Sequence, residues 1–401
     1  MNKVLLVGNG FDLAHGLHTS YGNFLNIMKN RDNFDRAIDY YMKNGKPLEA
    51  SNFYHYFKDI KSLREDNLKK LQEILKTNSW VFYFSECEAE IDGWIDFERE
   101  IYPVIELFEH IFMLDSYEIS KSGSKRISIA YINMSELNSN LLRTTRLWEK
   151  YFSFNAGFHV KAPYVSSQYG ILKKKILQSL REEFDEFIKA FEIYLLEFVD
   201  SVEHKEVLQQ IKDINADFVI SFNYTRTEDL YGISQDNVHH LHGVIREDVK
   251  EDKYGKNANG EKNNMVMGVN EQKDQNMDFI YFVKYFQRIQ KASGTRYKGF
   301  VDKYHTDSWG QQIKDKYELY VYGHSLDETD EDILKYLIGD KDETGDLDIK
   351  PDKVSIYYYN QTDYEQKVIN LIKLYGRSIV EEYMECDKFE FIPIEDTKSK
   401  L

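Results

Sequence analysis

Four short segments of this chain run from an apolar stretch into glycine, asparagine or histidine. They are VLLVGNGFD (Val4 to Asp12), FVISFNYT (Phe218 to Thr225), VHHLHG (Val238 to Gly243) and LYVYGHSLDETD (Leu319 to Asp330). A strand of a parallel sheet is buried on both faces and reads as a continuous apolar run. The carboxyl ends of such strands are where ligands bind in open α/β sheets. The pattern therefore predicts an α/β fold with a parallel sheet that sets small and polar side chains around a nucleotide-sized ligand.

Further apolar runs, Met265 to Val269 and Val354 to Tyr359, add strand candidates. Between about Asn33 and Val202 strand signals are few. There Ile176, Leu180, Phe184, Phe187, Phe191, Leu195 and Phe198 keep helical spacing with no Pro or Gly from Leu172 to Val202, which predicts the longest helix of the protein. A first strand separated from the others by a helical block implies a helical insertion. The expected division is residues 1–30 and 215–385 for the sheet domain, 31–214 for the insertion and 386–401 for a C-terminal tail. The polar stretch Arg246 to Asn264 reads as an exposed loop.

The formal net charge of −16 excludes non-specific nucleic-acid binding, which is driven by phosphate neutralisation, without excluding a nucleotide pocket of locally positive field. Cys87 and Cys386 form neither a CxxC pair nor a zinc framework, so no metal is expected and a reducing cytoplasm is the natural setting. The run after Met1-Asn2-Lys3 is too short for a signal peptide or a membrane span. No other segment approaches a membrane-spanning length free of charge.

Each strand end carries competing readings. Gly8-Asn9-Gly10-Phe11-Asp12 suits a turn whose amides approach a phosphate, and equally a tight strand-to-helix turn with no ligand. It is not the dinucleotide fingerprint, because Leu13 stands where the third Gly belongs. Asn223 reads as an amide pointing out of the strand end, or as the N-cap of a helix near Arg226. On a strand His240 and His242 share one face and His239 the other. A metal ligand, a core histidine bonded to a carbonyl, and a proton-transfer histidine followed by Gly243 are the alternatives there. Ser325 suits a helix cap or a ribose contact, and the acidic residues Asp327, Glu328, Asp330 and Glu331 suit a helix start by charge alone. In Trp94 to Glu100, Asp92, Asp96 and Glu100 would share a helical face and Glu98 would look elsewhere.

The segment GNGFDLAHGLHTSYGNF (Gly8 to Phe24) resembles the AbiH family of bacterial phage abortive-infection proteins, which is similar to the sirtuin-like NAD-binding fold. The resemblance covers about the first thirty residues and Asp217 to Asn360. It implies a Rossmann-like parallel sheet with a large helical insertion. Gly8, Asn9, Gly10, Phe11, Asp12, Thr19, Ser20 and Tyr21 would line the nucleotide pocket. Asn223 is similar to the Asn of the sirtuin T-x-N-x-D motif, with Thr225 in place of its Asp. His242-Gly243 is similar to its H-G, where the His is catalytic, and Gly323 and Ser325 to its ribose-contacting G-x-S. A W-x-D-x-E segment would bring Asp96 or Glu98 to the pocket. Sirtuin deacylases carry four zinc cysteines, and this chain has no such set; the defence-associated sirtuin-like proteins without them are mostly NAD hydrolases, so the resemblance implies hydrolysis of NAD to nicotinamide and ADP-ribose with His242 and Asn223 catalytic. Assembly into a homo-oligomer and a phage-derived trigger are implied partners. The alternatives are a sensor that binds NAD or ADP-ribose without turnover and, less favoured, a nuclease toxin.

Overall fold

The computed structural model describes residues 1–87, 97–122, 147, 149–154, 158–161, 163–166, 170–202, 207–270, 276–306, 312–341 and 347–394. The elements used below are, in chain order, β1 Asn2–Val7, α1 Asn9–Ala14, α2 Tyr21–Lys29, α3 Lys173–Tyr194, α4 Gln209–Ile214, β2 Phe218–Ser221, β3 Val238–His240, β4 Tyr317–Tyr322, α5 Glu331–Ile338, β5 Lys353–Tyr358, α6 Gln361–Tyr375, α7 Arg377–Glu385 and β6 Phe389–Pro393. The chain is a mixed α/β protein that divides into two compact units.

The first unit comprises Met1–Thr19, His204–Val244 and Ala292–Leu401. It is built on a six-stranded sheet in the order β6-β5-β4-β1-β2-β3, parallel at every pairing. The central strand explains why. Val4 and Leu6 belong to one buried cluster, with Ile220, Val321, Leu334 of α5 and Leu371 of α6. Leu5 and Val7 belong to another, with Phe11 of α1, Ile211 of α4 and Val219. Alternate side chains of a strand face opposite sides, so an unbroken apolar run is what a strand covered on both sides requires, each such side chain contributing about 1.5–3 kcal/mol. Pairing runs from Asn2↔Tyr317 to Val7↔Tyr322 on one side and from Val4↔Phe218 to Val7↔Ser221 on the other. The strand order reverses direction at β1, which puts a topological switch point between β1 and β4 at their carboxyl ends.

One expectation changes within this unit. The segment after Cys386 is not a tail over its first residues: β6 extends the sheet, Val354 to Tyr358 pairing with Phe389 to Pro393. It reads poorly as a strand because it is an edge, ends in Pro393 and leaves Glu390 half-buried.

The second unit comprises Ser20–Glu203 and Ile245–Lys291. Its axis is α3, whose apolar stripe from Ile176 to Phe191 is buried and continues into a π-helix, Leu195–Asp200. Trp80 packs on Phe184 at 4.8 Å and donates its indole N–H to the Leu180 carbonyl at 3.1 Å. Residues 245–291 belong here rather than with the sheet, since Phe282 packs on both Trp80 and Phe184. Met265–Val269 is therefore not a strand of the sheet; it makes a single parallel bridge, Val269 to Val283. Short antiparallel pairs at Phe152–Phe154 with Phe158–Val160 and at Val165–Ser166 with Gly170–Ile171 also lie in this unit.

The stretch from Arg246 is exposed over most of its length, as its polarity predicts, but it is tied down at its ends. Arg246 is buried and grips Glu192 of α3 with two guanidinium bonds of 2.9 and 2.7 Å. Asn263, near the far end of the stretch, donates to the same carboxylate at 2.8 Å. Between these anchors Glu247, Lys250 to Tyr254, Lys256 and Ala258 to Lys262 are exposed. Among the described residues no helix is long and apolar enough to cross a membrane.

Candidate functional site at the carboxyl ends of the strands

At the switch point the turns after β1 and β4 interlock. The Gly8 amide donates to the Tyr322 carbonyl at 3.2 Å and the Gly10 amide to the Gly323 carbonyl at 2.8 Å. A Cβ on Gly10 would stand 2.7 Å from the Gly323 Cα, and one on Gly323, where φ is 68°, would stand 2.1 Å from the Phe11 nitrogen. These glycines are thus required by the approach of two backbones, and the Gly10 amide is already engaged. Asn223 is no helix cap. Its side chain donates to the Gly8 carbonyl at 3.0 Å, joining the end of β2 to that of β1, while the following 3₁₀ turn starts at Thr227 with Arg226 at its N-cap.

The remaining residues of the first turn are drawn inward. Thr19 donates to Asn9 at 2.7 Å. Thr225 donates to the buried carboxylate of Asp12 at 2.6 Å, so the hydroxyl at 225 meets a carboxylate supplied by α1. Phe11 is buried against Tyr322 at the sheet surface.

The histidines separate into three roles. His239 is buried on the far side of β3 beside Tyr297; burial lowers its pKa to about 4, with the Arg296 charge acting in the same direction. His240 has acceptors at both ring nitrogens, the Asn223 carbonyl and Glu228 Oε1, each at 3.0 Å. Burial opposes its charge, but the Glu228 carboxylate, helped by the Asn223 carbonyl, outweighs that and raises its pKa, so the surroundings favour the protonated ring. His242 lies past the strand, in the turn, and is buried with its ring edge-on to Phe222 at 5.3 Å. Its Nε2 is 3.7 Å from Asp330 Oδ1. Asp330 Oδ2 is 3.5 Å from Nε2 of His324, whose ring lies 4.2 Å from that of Phe222.

One carboxylate thus stands between two imidazoles, both against Phe222. Neither Asp330 nor His324 is singled out by sequence reasoning, because a helix start accounts for an acidic run and the eye rests on Gly323 and Ser325. The one available signal is that His324 follows an apolar run as His242 does.

Other expected residues have different places. Ser325 is exposed, caps nothing, and offers its carbonyl to Asn370 at 2.9 Å; Asp327 caps the turn instead. Gly243 follows His242 and donates to the His240 carbonyl at 3.2 Å. Ser20 and Tyr21 belong to the second unit, where Ser20 caps α2 and Tyr21 packs on Phe97 and Phe191. Glu98, also there, pairs with Lys284 at 2.6 Å. Asp96 lies outside the described residues. Among the described residues no group of three or more His, Cys, Asp or Glu is arranged to hold a metal. A cleft of about 250 Å³ lies against Lys3, Gln210, Tyr320 and Tyr357; it contains none of the strand-end histidines, so chemistry and not concavity marks this site.

Comparison with known families matches residues 4–345 to the family described as bacteriophage abortive infection AbiH. The match spans most of the chain, which belongs to that family. No curated protein and no solved structure matches it.

Proposed function

We propose that this AbiH-family protein of phage abortive infection binds NAD over the carboxyl ends of a Rossmann-like, sirtuin-like sheet and hydrolyses it. The observation that carries the reading is the convergence of His242, Asn223 and the Gly8–Gly10 turn at the sheet's switch point, where α/β sheets take nucleotides. In the reaction a water oxygen bonds to C1′ of the nicotinamide ribose as the C1′–N bond breaks. The bonding pair leaves with the pyridine nitrogen, giving neutral nicotinamide and ADP-ribose. His242 takes the water's proton, and Asn223 orients the ribose or the water. Such a general base contributes about 10²–10⁴-fold, and the oxocarbenium character of the step parallels glycoside hydrolysis.

A second reading, nucleotide binding without turnover, is favoured by one observation. The Asn223 side chain, which would orient the ribose or the water for attack, already donates to the Gly8 carbonyl at 3.0 Å, a structural use that does not depend on turnover. Incubation of the purified chain with NAD, followed by chromatography, separates the two. Nicotinamide and ADP-ribose support hydrolysis; intact NAD with a thermal shift supports binding alone; neither product nor shift overturns both.

A further inference from the structure

We infer that Asp330 and His324 are positioning residues for His242, with Asp330 the carboxylate that orients its ring and stabilises it once protonated. The inference deepens the proposed reaction and rests on His242 as its proton acceptor.

The proton bookkeeping starts at His324. Its Nδ1 accepts the Leu326 amide at 2.9 Å, so the neutral ring carries its proton on Nε2, the atom facing Asp330 Oδ2 at 3.5 Å. The turn is held to this geometry at a cost: Leu326, fully buried, has a left-handed backbone with φ 58°, a strained conformation for a non-glycine residue that persists only where its surroundings demand it. With Oδ2 facing a donor, Oδ1 faces His242 Nε2 at 3.7 Å. These separations are ion-pair distances, longer than hydrogen bonds, as catalytic contacts often are before substrate closes the site.

Asp330 also forgoes its ordinary task. It occupies the N-cap of α5, where Asp normally accepts an amide of the first turn, yet its side chain makes no capping bond. The preceding turn is capped by Asp327. Helix-start charge therefore does not account for where the Asp330 carboxylate points.

Groups near His242 come from three neighbouring turns: Asp330 before α5, His324 after β4 through the shared Asp330 carboxylate, and Tyr224 after β2 with its ring at 6.4 Å. Asp330 brings a carboxylate within ion-pair reach of His242 Nε2. A carboxylate that fixes an imidazole and balances the imidazolium is the arrangement by which acid–base histidines are oriented. When His242 takes a proton, the charge of Asp330 is balanced, and no further proton moves.

The test needs no nucleotide. The full chain is labelled with ¹⁵N-histidine and its ring nitrogens are followed by long-range ¹H–¹⁵N correlation, His242→Gln and His324→Gln supplying assignments. His324 is expected to show a bare Nδ1 and a protonated Nε2, and its shifts to move in the same pH step that protonates His242. Asp330→Asn should shift the His242 nitrogens and abolish that linkage, with the His15 signals unmoved. Unmoved His242 signals in folded Asp330→Asn overturn the inference. So does independent titration of the two rings in the wild type, which decides the matter if Asp330→Asn does not fold. Absence of NAD turnover would remove the proposed reaction and leave this result standing, so the two failures are distinguishable.

Discussion

Alanine at Gly323 tests whether the two strand-end turns are locked together as described. The left-handed backbone there, φ 68°, costs a side chain about 1–2 kcal/mol. Its Cβ would stand 2.1 Å from the Phe11 nitrogen and 2.4 Å from the Gly10 carbonyl carbon, against about 3.5–4.0 Å for a comfortable contact. Both obstacles are backbone, so relief requires the turns to part. That breaks the bonds from Gly10 to Gly323 and from Gly8 to Tyr322, each worth about 0.5–1.5 kcal/mol. Together the loss is about 2–5 kcal/mol, a large share of the roughly 5–15 kcal/mol that holds a domain. Urea denaturation followed by circular dichroism measures it, with two glycine controls. Gly16 has φ 77° and nothing within 4 Å, so Gly16→Ala isolates the backbone cost of about 1–2 kcal/mol. Gly299 has ordinary φ and nothing within 4 Å, so Gly299→Ala is neutral or slightly stabilising. If Gly323→Ala is no more destabilising than Gly16→Ala, the interlock is refuted.

Arg246→Ala strands the fully buried Glu192 carboxylate and should cost about 3–5 kcal/mol, whereas Arg246→Met combined with Glu192→Leu should recover most of it; a single variant within 1 kcal/mol of wild type by urea midpoint contradicts this. His239 gives a pH dependence of definite sign. Its folded pKa of about 4 lies below the unfolded value of about 6.5, so the unfolded chain binds more protons between the two. Stability therefore falls as pH drops from about 6.5 toward 4, by at most roughly 3 kcal/mol. His239→Gln should flatten that limb of the midpoint-versus-pH curve, and an unchanged slope argues against it. His240 has the opposite sign: with its pKa raised, its contribution is complete below the unfolded value and is lost as pH climbs through the folded one. Glu228→Gln should remove that alkaline loss, and a retained loss would assign it to another group.

The sheet was legible because its strands are buried on both faces, which writes them as unbroken runs: VLLV, FVIS and LYVY each lie in a strand. Edge strand β6 was not, since only Phe389 is fully buried, the next three residues are half-buried and Pro393 is exposed, so its pattern is mixed. The same apolar runs placed Asn223 and His242 at strand ends, and they follow Ser221 of β2 and His240 of β3. Their partners were hidden by distance, Asn223 meeting a carbonyl 215 positions away and Arg246 a carboxylate 54 positions away. Asp330 was hidden by sufficiency: a helix start explained the acidic run, so nothing in the sequence demanded a second use for it. The glycines at 8 and 10 were open to a ligand or a structural reading, and the contacts at Gly323 show that the structural requirement is met in full.

Side-by-side turnover of NAD by the wild-type chain and His242→Ala, with NAD-induced thermal shift measured on both, tests the central claim most directly. Nicotinamide and ADP-ribose are expected from the wild type, with a fall of about 10²–10⁴-fold in the variant and a thermal shift retained by both. Equal turnover by the two proteins would contradict the role of His242, and intact NAD with no shift in either would contradict the nucleotide site itself.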